Sequence, residues 1–132
     1  MIFKIGETFE EFFVISDEIY SGFIATFNDR NPLHTNQQFA LAKGFKDVVM
    51  HGNILNGFIS YFIGEKLITK DVIIHSQEIQ FKNPVFLNDT LIFNAEVNGV
   101  YESVNAIEFK FIFKNKLEKV IAKGKFQIGL LK

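Results

Sequence analysis

HGNILNGFISYFI, residues 51–63, is the stretch on which the fold turns. Ile54, Leu55, Phe58, Ile59, Phe62 and Ile63 recur at helical spacing, with Ile54, Phe58 and Ile59 on one side and Leu55 and Phe62 beside them. So broad an apolar stripe calls for enclosure, and other elements must wrap this helix. It has about half of the roughly 20 residues a membrane span needs and is broken by Asn56 and Ser60. It therefore reads as a buried helix and not as an anchor.

The second half of the chain supplies the wrapper. Leu91, Phe93, Ala95 and Val97 alternate with Ile92, Asn94, Glu96 and Asn98. Ile107, Phe109, Phe111 and Phe113 alternate with Glu108, Lys110 and Ile112, and Val120, Ala122, Gly124, Phe126 and Ile128 with Lys123, Lys125 and Gln127. That two-residue period marks strands with one buried face. Polar breaks at residues 101–103 and 114–116 fit hairpin connections, a further strand is expected over Ile73 to Phe81, and a fifth over Phe9 to Ile15. An antiparallel sheet curled around one apolar helix uses all of this surface: an α+β fold, one domain over residues 1–132. Such a sheet keeps open edges, so a homodimer joining two sheets edge to edge is expected.

Upstream, Ser16 can cap a helix whose first turn holds Asp17 and Glu18 and whose apolar face is Ile19, Tyr20, Phe23, Ile24 and Phe27. Thr35 and Gln38 have capping-box spacing for a second short helix that runs into Gly44. Hydrophobic residues make up 48% of the chain and charged residues 22%, the balance of a folded globular domain. Net charge is −1, with 14 basic residues scattered among 15 acidic ones, which leaves no electrostatic footprint for nucleic acid or an anionic membrane. The absence of cysteine excludes disulfides and thiolate metal sites. No secretory signal pattern opens the chain, so the cytoplasm is the expected compartment. The 17 phenylalanines read as a bias toward Phe, Ile, Lys and Asn codons and not as an aromatic binding surface.

FNDRNPLH, residues 27–34, separates the first two helices. Pro32 fixes its own φ and pushes Asn31 toward an extended conformation, so the chain must bend sharply and Asp29 and His34 can point the same way. An acid and an imidazole converging on one volume suit proton abstraction and return. Each residue alone has a plainer reading, Asp29 as a cap and His34 as a packed histidine. His51-Gly52, at the start of the enclosed helix, adds free backbone N–H groups and the positive end of the dipole, a site for developing negative charge.

These residues, with Phe39-Ala40, Gly44-Phe45, Val49-Met50-His51-Gly52, Phe81-Lys82-Asn83-Pro84-Val85 and Asn88-Asp89-Thr90, carry a resemblance to the MaoC-like dehydratases, the (R)-specific enoyl-CoA hydratase family with a hot-dog fold. The likeness covers residues 16 to about 128, and D-x-N-P-L-H followed 17 residues after the histidine by H-G is a long, ordered pattern. It implies reversible addition of water to a trans-2-enoyl thioester of coenzyme A or an acyl carrier protein, with no metal or redox cofactor. Asp29 and His34 would hold the water, Asp29 accepting its proton and His34 helping to protonate the α-carbon. The Gly52 N–H, beside His51, would bind the thioester oxygen. Ser60 falls where the family often has a serine, and Asn31 could orient Asp29 or the substrate, though an asparagine before proline also suits a plain turn. Asp29 would need apolar surroundings such as Phe27 to become a stronger base.

Some positions depart from the family pattern. Asn28 and Asn88 stand where glycine is common, and asparagine best tolerates the positive φ those turns need. Asn53 follows His51-Gly52 in place of the frequent methionine, which makes the mouth of the site more polar. Lys66, Lys70 and Lys82 read as solvated surface. Two other functions suit the same fold. A thioesterase would need a carboxylate on or near the central helix, where Asn56 cannot act as a base and Glu65 lies at the far end; a non-catalytic acyl-binding module would need none.

Overall fold

The computed structural model describes residues 2–131. Five strands form one antiparallel sheet: β1 (Thr8–Val14), β2 (Val72–Phe81), β3 (Thr90–Tyr101), β4 (Ala106–Asn115) and β5 (Val120–Leu130), in the spatial order β1-β3-β4-β5-β2. Four α-helices, α1 (Asp17–Phe27), α2 (Pro32–Thr35), α3 (Gln37–Ala42) and α4 (Asn53–Tyr61), lie between β1 and β2 in sequence. The sheet wraps α4, the hot-dog arrangement that the resemblance implies. Among the described residues no helix is long and apolar enough to cross a membrane.

The alternation read from β3, β4 and β5 is the inner face of the sheet. Leu91, Phe93, Val97, Phe109, Phe113, Phe126 and Ile128 are all buried against Ile54, Leu55, Phe58 and Ile59 of α4 in one core. Phe62 continues that face past α4. Its ring meets Phe9, Phe93, Phe109 and Phe126 with centroids 5.0–6.3 Å apart. Past α4, Phe62–Lys66 widens into a π-helical turn, and the Lys70 ammonium closes it by donating to the carbonyls of Gly64 and Glu65. Gly124 lets β5 approach β2, since a Cβ there would fall 1.9 Å from the Glu78 carbonyl oxygen.

Local signals set the turns. Ser16 Oγ accepts from Ile19 N at 3.2 Å, and Asn28 closes α1 in the left-handed region at φ 59°, as Asn88 does at φ 69° in the later turn. Asparagine therefore does the work expected of glycine at both positions. The capping box expected at Thr35 and Gln38 does not form. Thr35 is already the last residue of α2, its hydroxyl donating to the carbonyls of Arg30 and Asn31, and Asn36 Oδ1 caps α3 instead, accepting from Phe39 N at 3.0 Å.

β1 and β2 are the sheet edges. β2 is ten residues long and almost wholly uncovered, with Ile73, Ile74 and Phe81 each about half exposed. A long apolar edge strand of this kind is a template for pairing with another strand.

Candidate active site

Residues 28–36 form a bend pinned at both ends by its own asparagines. The left-handed Asn28 ends α1; Asn31 Oδ1 caps α2 by accepting from Leu33 N at 2.9 Å, with Pro32 at the first helical position. The Asn31 amide N–H donates to Asp29 Oδ1 at 3.2 Å, so the same turn that starts α2 also orients the carboxylate. Asn31 is thus structural through its side chain and an orienter of Asp29 through its backbone.

The bend brings Asp29 and His34 together, with Oδ2 and Nε2 4.0 Å apart. That gap is too long for a direct hydrogen bond and suits one water bonded to both. His34 Nδ1 lies 2.7 Å from the Val49 carbonyl oxygen, which can only accept, so Nδ1 carries a proton and Nε2 is the nitrogen offered to Asp29. The Val49 N–H returns a bond to the Leu33 carbonyl at 3.0 Å, locking the bend to the strand-like segment before α4.

His51 is 2% exposed and is not among the residues lining the cavities that Asp29 and His34 border. Its Nε2–H donates to the Asp29 backbone carbonyl at 2.9 Å, and its ring stacks on that of His34 with centroids 4.0 Å apart. Its Nδ1 is buried without a partner among the described residues. His51, expected beside Gly52 at the thioester oxygen, thus has its side chain behind the acid and the imidazole, where it holds both. Tyr20, read from sequence only as part of the apolar face of α1, is a second holder. Its hydroxyl donates to the His34 backbone carbonyl, and its ring lies 6.0 Å from that of His51. Burial pushes the Tyr20 phenol above its usual range, with the Asp17 carboxylate adding to the effect. Only its position ahead of the Asp29 bend hints at this in the sequence.

Two cavities meet at the head of α4. The first, about 840 Å³, lies between α1 and α4 and is walled by Phe23, Phe27, Ile54 and Phe58, with Asp29, Asn53 and Asn56 as its polar groups alongside Thr26. The second, about 450 Å³, contains His34, Gly52, Asn53, Phe81 and Lys82. The α4 hydrogen-bond ladder begins with Ile54 N and Leu55 N, so the N–H groups of Gly52 and Asn53 precede it, at the positive end of the helix. Gly52 has ordinary helical φ and ψ; its lack of a side chain matters because a Cβ would meet the Phe81 ring at 3.0 Å.

Two expectations need correction. Ser60 is exposed and lines neither cavity, and its hydroxyl makes no hydrogen bond among the described residues, so the structure does not bring it to Asp29 and His34. The Asp29 side chain keeps 48% of its exposure and Phe27 lies open, so the apolar burial asked of Asp29 is not supplied within one chain. The three lysines are exposed, in keeping with solvated surface: Lys82 borders the second cavity, Lys70 closes the π-helical turn and Lys66 lies 3.8 Å from Glu11.

Asp29, His34 and His51 can each offer a ligand atom within 4.8 Å of the others. The two imidazoles lie nearly parallel, at 29°, and the bonds of His34 Nδ1 and His51 Nε2 to carbonyls leave His34 Nε2 and His51 Nδ1 as their free nitrogens.

Residues 16–127 match the family model described as MaoC like domain. An (R)-specific enoyl-CoA hydratase of Rhodospirillum rubrum is 33% identical over 82 residues, 62% of this chain and 57% of that protein. The protein of the same name from Aeromonas caviae is 34% identical over 82 residues, 62% of this chain and 61% of its own length. The matched stretch thus spans about three-fifths of those two relatives. A mitochondrial 3-hydroxyacyl-[acyl-carrier-protein] dehydratase of Arabidopsis thaliana is 26% identical over 126 residues, 93% of this chain and 75% of that one. Among solved structures, the (R)-hydratase from A. caviae superposes with a TM-score of 0.89 and 24% identity, covering 97% of each chain, a likeness of fold.

Proposed function

The chain belongs to the MaoC-like domain family, and from that premise we propose that it is a hydro-lyase that reversibly adds water across the 2,3 double bond of a trans-2-enoyl thioester. The observation that carries the reading is the 4.0 Å gap between Asp29 Oδ2 and His34 Nε2, a seat for one water at the junction of two cavities. In hydration, the hydroxyl oxygen bonds to C3 while the pair takes a proton from the water and returns one to C2, so no net proton is consumed. Because Nδ1–H is committed to Val49, a neutral His34 meets the water through the lone pair of Nε2 and becomes a donor only after receiving a proton. The pair therefore works as one relay rather than as a fixed base and a fixed acid. The Gly52 N–H, ahead of the α4 ladder, stabilises the enolate oxygen that develops on the thioester.

The acyl portion lies in the apolar cavity between α1 and α4, and coenzyme A or an acyl carrier protein delivers it. A homodimer through the open edge of β2 completes the site. Asn56 of that cavity is hydrogen-bonded to Gln77 of β2, so a second copy paired there would wall off the open side near Asp29.

The test follows the enoyl thioester absorbance with crotonyl groups on coenzyme A and on acyl carrier protein, with free thiol measured in parallel. Loss of the enoyl band without thiol release is expected, and Asp29→Asn or His34→Ala should each lower the rate by at least about 10²-fold in folded protein. Full activity in either variant, or thiol release without hydration, overturns the reading.

A further inference from the structure

Asn53 is the residue common to the two cavities, sharing one with Asp29 and the other with His34 and Gly52. Its side chain is not a free rotor. Asn56 Nδ2, one helical turn on, donates to Asn53 Oδ1 at 2.7 Å, and Gln77 Nε2 of β2 donates in turn to Asn56 Oδ1. An amide offers one acceptor oxygen and two N–H donors. With Oδ1 occupied, what Asn53 offers at the junction is Nδ2, which has no partner among the described residues. Turning over one amide alone would set oxygen against oxygen or N–H₂ against N–H₂, so the three share one direction, which runs from Gln77 through Asn56 to Asn53 and leaves Asn53 Nδ2 as the free end. The groups beside Asn53 agree with that direction. Asp29 already supplies an acceptor in the first cavity, and the remaining walls there are mostly aromatic and aliphatic.

We propose that the Asn53 side-chain amide donates a hydrogen bond to the carbonyl oxygen of the bound acyl thioester, as a second donor beside the Gly52 N–H, with Asn56 and Gln77 as positioning residues that aim it. This rests on the hydratase reading above. The carbonyl oxygen gains negative charge as the enolate forms, so a preset donor strengthens in the transition state and acts mainly on kcat. Asn56 and Gln77 touch no reacting atom; they fix which end of the Asn53 amide faces the substrate.

The test is steady-state hydration of crotonyl-CoA by the full chain and four variants, with thermal unfolding to check the fold. Asn53→Leu keeps the volume and removes the donors; its kcat should fall by about 10²-fold with KM changed little, the loss typical of one such donor. Asn53→Asp replaces the donors with a negative charge beside the developing one and should lose more. Asn56→Leu and Gln77→Met keep Asn53 itself and should lose about tenfold in kcat, less than Asn53→Leu. Asn53 and Gln77 are exposed and Asn56 is half-buried, so all four are expected to unfold within a few degrees of the parent. Wild-type kcat in Asn53→Leu, or a loss confined to KM, overturns the Asn53 role while leaving Asp29 and His34 standing. If the unaltered chain shows no hydration, the hydratase reading fails and this inference with it.

Discussion

Replacing His51 with leucine tests whether the acid and the imidazole are held from behind. The substitution removes the 2.9 Å bond to the Asp29 carbonyl and the 4.0 Å stack on His34. A lost bond that leaves a partly buried carbonyl unpaired costs about 1–3 kcal/mol, and an aromatic stack about 0.5–1.5 kcal/mol. Against this, leucine removes the buried, unpartnered Nδ1, which itself costs on the order of 1 kcal/mol. The net loss of stability should be about 0.5–3.5 kcal/mol, visible as a lower urea midpoint at unchanged slope. Activity should fall much further, because Asp29 loses its backbone anchor and His34 its stacking partner, and a displacement near 1 Å can cost about 10²-fold. Crotonyl-CoA hydration in folded protein measures that loss as kcat, with KM little altered. His51→Gln, whose amide nitrogen can reach where Nε2 was, should recover about tenfold over His51→Leu. If His51→Leu keeps kcat within about threefold of the parent, or glutamine does no better than leucine, the Asp29 carbonyl bond is not what positions the pair.

The other predictions address the walls and edges of the same site. Gly52→Ala places a Cβ 3.0–3.2 Å from the Phe81 ring; that ring is half exposed and can move, and alanine loses less backbone entropy, so stability should change by under about 1 kcal/mol while kcat/KM drops about tenfold. Unchanged kcat/KM would mean that nothing approaches Gly52. The raised Tyr20 phenol holds its proton in the folded chain to higher pH than the unfolded chain does at its ordinary value of 10.0. Its stabilising contribution is complete below that value and lost as pH climbs through the folded one. Urea unfolding should therefore weaken more steeply above about pH 10 in the parent than in Tyr20→Phe, and equal slopes would refute it. Ile74→Lys sets a charge on the open β2 edge, and sedimentation should show a dimeric parent and a mainly monomeric variant. Two identical sedimentation profiles would move the interface elsewhere.

What lay open in the amino-acid order was whatever short-range forces decide. Backbone sterics place asparagine in the left-handed region at residues 28 and 88, Ser16 caps α1, and a period of two or of 3.6 separates the strands from α4. The Asp29 and His34 bend is equally local, since Pro32 and the Asn31 cap act within five residues. The same reasoning misplaced the α3 cap, because Thr35 and Asn36 both suit it and the winner depends on where α2 ends. Tertiary structure alone decided what surrounds the pair. His51 reaches Asp29 across 22 positions, Tyr20 reaches His34 across 14, and Gln77 reaches Asn56 across 21. None of these contacts leaves a periodic or capping signature, because each joins segments that meet only once the sheet has closed on α4. The exposure of Ser60 and the openness of Asp29 are of the same kind: they depend on which side of the helix the sheet covers, and a single strand's pattern says only that some face must be buried.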